Sequence, residues 1–173
     1  MMSAQDPRNK FKTSDYDQQE QELPGLQSKM TPQPDCGETS YKGHERLKGY
    51  KMLVTGGDSA IGRAAAIAYA KEGADVAINY LPSEEEDAQE VKQVIEDAGQ
   101  KGILIPGDLR DEQFNYDMVE TAYNELGGLD NVTLVAGHQQ YHDDIHGFNT
   151  EAFAETFETN VYPVFWTVQK ALE

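Results

Sequence analysis

The chain has 173 residues, of which 31 are Asp or Glu and 14 are Lys or Arg, giving a formal net charge of −17. That balance argues against binding to a nucleic-acid backbone or an anionic membrane surface, and the single cysteine, Cys36, excludes an internal disulfide and every paired-cysteine metal or redox motif. The length suits one globular domain with a real core. No basic-then-apolar leader opens the chain and no apolar run approaches the roughly 18 residues of a membrane helix, so a cytoplasmic protein is expected.

Residues 1–45 hold four of the seven prolines (Pro7, Pro24, Pro32 and Pro34) and are rich in Gln, Ser, Asp and Lys, without apolar residues at a period of 2 or 3.6. Such a stretch lacks the means to fold alone. It reads as an extended arm, either disordered or packed on its own or a neighbouring subunit through Leu23, Leu26, Met30 and Tyr41.

From 46 to 173 short apolar runs alternate with amphipathic stretches, and glycines punctuate the joins. Met52–Val54 is a first strand, Ala60–Ala70 an alanine-rich helix stopped by Gly73, and Ala74–Ile78 a second strand. Ser83 with Glu86 three residues on forms a capping box for a helix carrying Val91, Val94 and Ile95 on one face and ending near Gly99. Ile103–Ile105 is the third strand. A helix over Asp111–Leu126 follows, broken by Gly127 and Gly128, and Val132–Val135 is the fourth strand. A last amphipathic helix starts near Thr150 and still runs at Glu173. Strands this apolar, each followed by a helix, imply an α/β fold: a parallel sheet covered on both faces, part of a doubly wound Rossmann-type domain with strand order 3-2-1-4.

The most informative segment is Leu53-Val54-Thr55-Gly56-Gly57-Asp58-Ser59-Ala60-Ile61-Gly62-Arg63, which joins a buried strand to a helix through a loop of small residues. Such a loop presents backbone N–H groups to a pyrophosphate at the helix N-terminus, although glycine turns between strand and helix also occur for purely structural reasons. Thr55-Gly56-x-x-x-Ala60-Ile61-Gly62 resembles the TGxxxGIG element of the short-chain dehydrogenase/reductase family. Asp108-Leu109 resembles the acidic pair that contacts adenine there, Ala136-Gly137 the end of the NNAG motif near the ribose, and Asn160 the catalytic helix asparagine. The arm, with Pro24-Gly25, Met30-Thr31-Pro32 and Pro34-Asp35-Cys36-Gly37-Glu38, is similar to that of a general-stress oxidoreductase subgroup.

Three departures from the family pattern stand out. Ala60 replaces a glycine, and its methyl group could crowd the cofactor. Leu134 and Val135 replace two asparagines, so hydrophobic packing must brace the fourth strand instead. None of the nine tyrosines has a lysine four residues later, which is the family's proton-transfer pair. The chain therefore reads as an N-terminal portion, ending in the helix that carries Asn160 and lacking normal catalysis on its own.

The resemblance implies NAD or NADP as cofactor. Asn79-Tyr80-Leu81 should lie near the adenosine ribose, and Glu84, Glu85, Glu86 and Asp87 follow, so a 2′-phosphate would meet negative charge with Arg63 the nearby candidate cation; this favours NAD. The same carboxylates also suit a helix N-terminus without any ligand. His138, His142 and His146 recur every four residues and would align as a zinc site on a helix, but equally suit a solvated loop; no metal is expected, and His138 or Gln139 touching substrate is the better reading. Asn160 either bonds locally or holds a kink, with Pro163 interrupting a backbone bond to residue 159. The apolar Val164, Phe165, Trp166, Val168 and Leu172 should contact further sheet or a second subunit of a dimer or tetramer. Taken together, the expected activity is hydride transfer between nicotinamide and an alcohol, aldehyde or ketone. A non-catalytic nucleotide-binding or interaction protein is the alternative.

Overall fold

The computed structural model describes residues 18–173; the part of the expected arm before residue 18 lies outside them. Four parallel strands form one sheet in the order β3-β2-β1-β4, as the alternation of apolar runs and helices predicts. The strands are β1 (Lys51–Thr55), β2 (Asp75–Tyr80), β3 (Gly102–Pro106) and β4 (Asn131–Leu134). Leu53 lies between Ala77 of β2 and Val132 of β4, so β1 is flanked on both edges. Side chains alternate between two cores: Met52, Val54, Val76 and Ile78 on one face, Leu53, Ala77 and Ile105 on the other.

Helices α1 (Ala60–Lys71) and α2 (Glu85–Asp97) cover the first face through Ala66, Ile67, Val91 and Ile95. Helix α3 (Glu112–Leu126) covers the second with Met118, Val119 and Ala122. Asp111 caps α3 by accepting from Phe114 N–H at 3.1 Å, and Gly127 ends it at φ 76°. The capping box expected at Ser83 and Glu86 does not form. Pro82–Glu84 is instead a turn of 3-10 helix, whose Glu84 carboxylate accepts Leu81 N–H at 3.1 Å, and α2 begins only at Glu85. Pro82 suits the start of that turn, where its missing N–H has no partner to lose.

The single last helix expected from Thr150 is two, α4 (Thr150–Asn160) and α5 (Tyr162–Ala171), separated at Val161 with Pro163 just inside the second. Helix α5 packs along α3, where buried Thr167 donates to Asn115 Oδ1 at 3.0 Å. Its other side exposes Phe165, Val168 and Leu172.

The described part of the arm lies against α1 and α2; of the expected anchors Tyr41 attaches it and Leu26 is half-buried, while most of the attachment is polar. Leu23 and Met30 are exposed, whereas Gln27 is 5% exposed. Lys71 Nζ donates to the carbonyls of Gly37 (2.7 Å) and Glu38 (2.6 Å). Glu72, at the end of α1, accepts from His44 N–H (2.9 Å), Arg46 N–H (3.0 Å) and the Arg46 guanidinium, and Tyr41 O–H also bonds to it. Those bonds, the Arg46 guanidinium foremost, hold the Glu72 carboxyl well below the usual range.

Candidate dinucleotide site

The carboxyl ends of β1, β2 and β4 open onto a cavity of about 590 Å³. The turn after β1 forms its floor. Gly56 has φ +60°, and a Cβ there would come 3.0 Å from Ala136 Cα, so the turns after β1 and β4 meet backbone to backbone. A Cβ on Gly62 would lie 1.9 Å from the Gly56 carbonyl oxygen, which is why the first turn of α1 can close on the loop only without a side chain. Gly57 is buried and donates its N–H to Asn79 O at 3.0 Å, tying the turn to β2.

Thr55 does not line the cavity; it is 1% exposed, and its Oγ1 accepts the N–H groups of Val135 (3.1 Å) and Ala136 (3.2 Å). That hydroxyl braces the end of β4, where hydrophobic packing alone was expected to do so. Asn79 reaches the other way: its Nδ2 donates to the carbonyls of Ile105 (3.2 Å) and Gly107 (3.1 Å). The ends of all four strands are thus tied in two pairs, β1 to β4 by Thr55 and β2 to β3 by Asn79.

Of the residues the sequence singles out, Gly56, Asp58, Ser59, Ala60 and Ile61 line the cavity from the first turn and Asn79, Tyr80 and Leu81 from the second. Asp108, Leu109, Ala136, Gly137 and His138 line it from the turns after β3 and β4. Gln139 is exposed and outside the lining, as is Gln140, whose Nε2 lies 3.1 Å from His138 Nε2. Leu23, Pro24, Gly25, Glu84, Arg110 and Glu155 also line the cavity and were not foreseen as a group. A carboxylate run was the only sign of Glu84, and nothing in local sequence marks the arm residues.

Ala60 occupies a left-handed backbone position, φ +46°, which costs a non-glycine residue on the order of 1–3 kcal/mol. Its methyl group therefore matters through the backbone conformation as well as through its place on the cavity wall. The Ala60 N–H donates to Gln27 Oε1 at 2.6 Å. Among the described residues, the amides of Ser59 and Ile61 on either side meet no acceptor.

The electrostatics are acidic. Asp58 is 2% exposed, and its Oδ2 has no partner among the described residues. Burial raises its pKa. Glu84 is pushed up to about 7 by burial, with the Asp58 and Asp87 charges adding. Asp108 is lowered, first by its bonds to Arg110. Both arginines near the cavity are engaged: Arg110 with Asp108 at 2.6 Å and Glu155 at 3.4 Å, and Arg63 with Glu38 at 2.7 Å and Glu90 at 3.2 Å. Arg63, the expected partner for a 2′-phosphate, is outside the lining and sealed by carboxylates.

Asn160 lies behind the wall. Its Oδ1 accepts His138 N–H and its Nδ2 donates to His138 O, both at 2.7 Å, so it clamps a residue 22 positions away rather than bonding locally. The histidine segment is irregular, with a 3-10 turn at Ile145–Gly147, so His138, His142 and His146 do not align on a helix. His142 packs on Phe148 at 4.9 Å between ring centroids. Among the described residues no group of three or more His, Cys, Asp or Glu is placed to hold a metal ion. No helix among them is long and apolar enough to cross a membrane.

The model of the short chain dehydrogenase family matches residues 51–173. The chain is 56% identical over 172 residues to the uncharacterized oxidoreductase YghA of Escherichia coli, covering 99% of this chain and 58% of that protein. It is 46% identical over 150 residues to General stress protein 39 of Bacillus subtilis, covering 87% of this chain and 52% of that one. A short chain dehydrogenase from Burkholderia cenocepacia, solved in complex with NADP, superposes with a TM-score of 0.68 at 36% identity, over 73% of this chain and 51% of that one. The chain thus spans about half the length of the relatives it matches.

Proposed function

The chain belongs to the short-chain dehydrogenase family, an oxidoreductase family that uses NAD or NADP, and from that premise we propose that the cavity holds such a dinucleotide and that the whole protein moves a hydride between nicotinamide and an alcohol, aldehyde or ketone. The observation that carries the reading is the glycine turn at the carboxyl end of β1 beside β4, with amides at the start of α1 that meet no acceptor among the described residues. Open α/β sheets bind ligands in that crevice, where strand order reverses.

The residues fit the group. Among the described residues the amides of Ser59 and Ile61 meet no acceptor and can serve a pyrophosphate, and Asp108 with Leu109 borders the adenine end. Ala136 and Gly137 are left for the second ribose, and His138 for the substrate. When bound, the nicotinamide supplies or accepts the hydride. Asn160 fixes the backbone of His138, and so the loop on which the substrate would rest. The acid/base pair is not among these residues, since no tyrosine here precedes a lysine by four; the remainder of the protein is proposed to supply it.

The preference proposed is NAD over NADP. Among the described residues, Asp108 and Glu155 line the cavity together with Asp58 and Glu84, and the one lining arginine, Arg110, is already paired with the first two. Cytoplasmic location and a dimer or tetramer docking through the apolar side of α5 complete the reading. Equilibrium dialysis of the full-length protein should give saturable binding of both dinucleotides, tighter for NAD, and absorbance at 340 nm should report turnover with alcohols or carbonyls. Binding without turnover would favour the non-catalytic alternative, and binding of neither would reject the site.

A further inference from the structure

The arm and the glycine turn share one buried joint. Gln27 is held from the α2 side, where Asp87, itself fully buried, accepts Gln27 N–H at 2.6 Å through Oδ2 and Ser28 N–H at 3.2 Å through Oδ1. On the arm side, Gln27 Nε2 approaches Cys36 Sγ at 3.4 Å, and Cys36 N–H donates to Glu38, whose other carboxylate oxygen accepts from Arg63 of α1. With the backbone and amide nitrogen so fixed, Oε1 accepts the N–H of Ala60 at 2.6 Å, with the Cys36 thiol as a longer second donor at 3.7 Å. Among the described residues, no other turn amide from Gly56 to Ile61 donates to the side chain of another residue. The amide so held belongs to the residue with left-handed φ that carries a Cβ. Two to four residues before Gln27, Leu23, Pro24 and Gly25 form part of the wall of the same cavity.

We propose that Gln27 is a positioning residue for the phosphate-binding turn and that residues 23–27 of the arm are an integral part of the dinucleotide site. By accepting from Ala60 N–H, Gln27 keeps the turn in a conformation alanine otherwise disfavours, leaving the Ser59 and Ile61 amides turned out to ligand. The arm is thus part of the binding machinery, and its deletion removes a site component. The proposal rests on the dinucleotide reading of the cavity.

The test is a double-mutant cycle on the full-length protein. Gln27→Met keeps the length and removes the acceptor; Ala60→Gly removes the conformational cost, because glycine takes positive φ freely. Dialysis against NAD and NADP should show about a tenfold loss of affinity for Gln27→Met in the wild-type background and less than about threefold in Ala60→Gly. Equal losses in both backgrounds, or no loss, overturn the proposal while leaving the dinucleotide site standing. Hydrogen exchange in the ligand-free protein gives a second reading independent of cofactor. The Ala60 amide should exchange at least about tenfold faster in Gln27→Met, with protection of β1 and β2 amides unchanged. Uniform acceleration across the sheet, or none at Ala60, overturns it too, whatever the wild type binds.

Discussion

Replacing Thr55 by valine keeps the shape of the end of β1 and deletes one oxygen. That oxygen accepts two backbone N–H groups, Val135 at 3.1 Å and Ala136 at 3.2 Å. An orphaned buried donor costs about 1–3 kcal/mol. The two donors share a single acceptor and both residues are only half-buried, so water partly repairs the loss; about 2 kcal/mol in total is expected, a fall of about 1 M in the urea midpoint at a slope of about 2 kcal/mol/M. Thr55→Ser is the control, since it retains the oxygen and loses one buried methyl group, for about 1 kcal/mol. The ranking valine below serine below threonine should therefore hold in urea unfolding of the full-length protein. Dinucleotide affinity should drop for valine alone, because the turn at Ala136 and Gly137 is what the hydroxyl steadies. Thr55→Val costing under about 0.5 kcal/mol, or serine costing more than valine, would refute the assignment of the brace to the hydroxyl.

Gly62→Ala puts a Cβ 1.9 Å from the Gly56 carbonyl oxygen, a backbone contact that no rotamer relieves, so dinucleotide Kd should rise at least about tenfold by dialysis. Glu84, with its pKa raised from 4.5 to about 7, carries a proton in the native state that the unfolded chain has lost across that window. Stability from this group therefore falls as pH climbs from about 4.5 to 7, and Glu84→Gln should melt about 2–4 °C above wild type at pH 8 and level with it at pH 5; parallel curves would refute the burial account. Asn160→Ala removes both bonds to His138 and should cost about 1–2 kcal/mol in urea unfolding, with faster exchange at the His138 amide.

What sequence patterning made legible was whatever depends on neighbours in the chain. Runs such as Met52–Val54 and Ile103–Ile105 are apolar because both faces of the sheet are covered, so the strands and their order followed from alternation with amphipathic helices. Boundaries drifted by one or two residues, as β4 at Asn131–Leu134 against an expected Val132–Val135 illustrates, because the hydrogen-bonding register and not hydropathy ends a strand. The Ser83 capping box failed for a related reason. Its spacing was right, but Pro82 opened a 3-10 turn and Glu84 captured the Leu81 amide first.

The candidate site was legible where it is built from backbone and illegible where it is built from long-range polar contacts. Glycines announce a turn because their absence of side chain is a local property, and Gly56 and Gly62 stand where a Cβ would strike main chain. A buried glutamine in a segment without periodicity announces nothing: Gln27 meets Asp87 across 60 residues and Ala60 across 33. The same holds for Asn160, whose type suggested a helix kink while its two bonds close a loop 22 residues upstream. Alanine in place of glycine at position 60 is the one local clue to the arm. A left-handed residue with a Cβ needs outside support, and that support has to come from a segment whose own sequence gives no reason to fold. The arm and the turn therefore specify one another: the arm gains order from Asp87, Lys71 and Glu72, and the turn gains from the arm the acceptor that its own residues leave out.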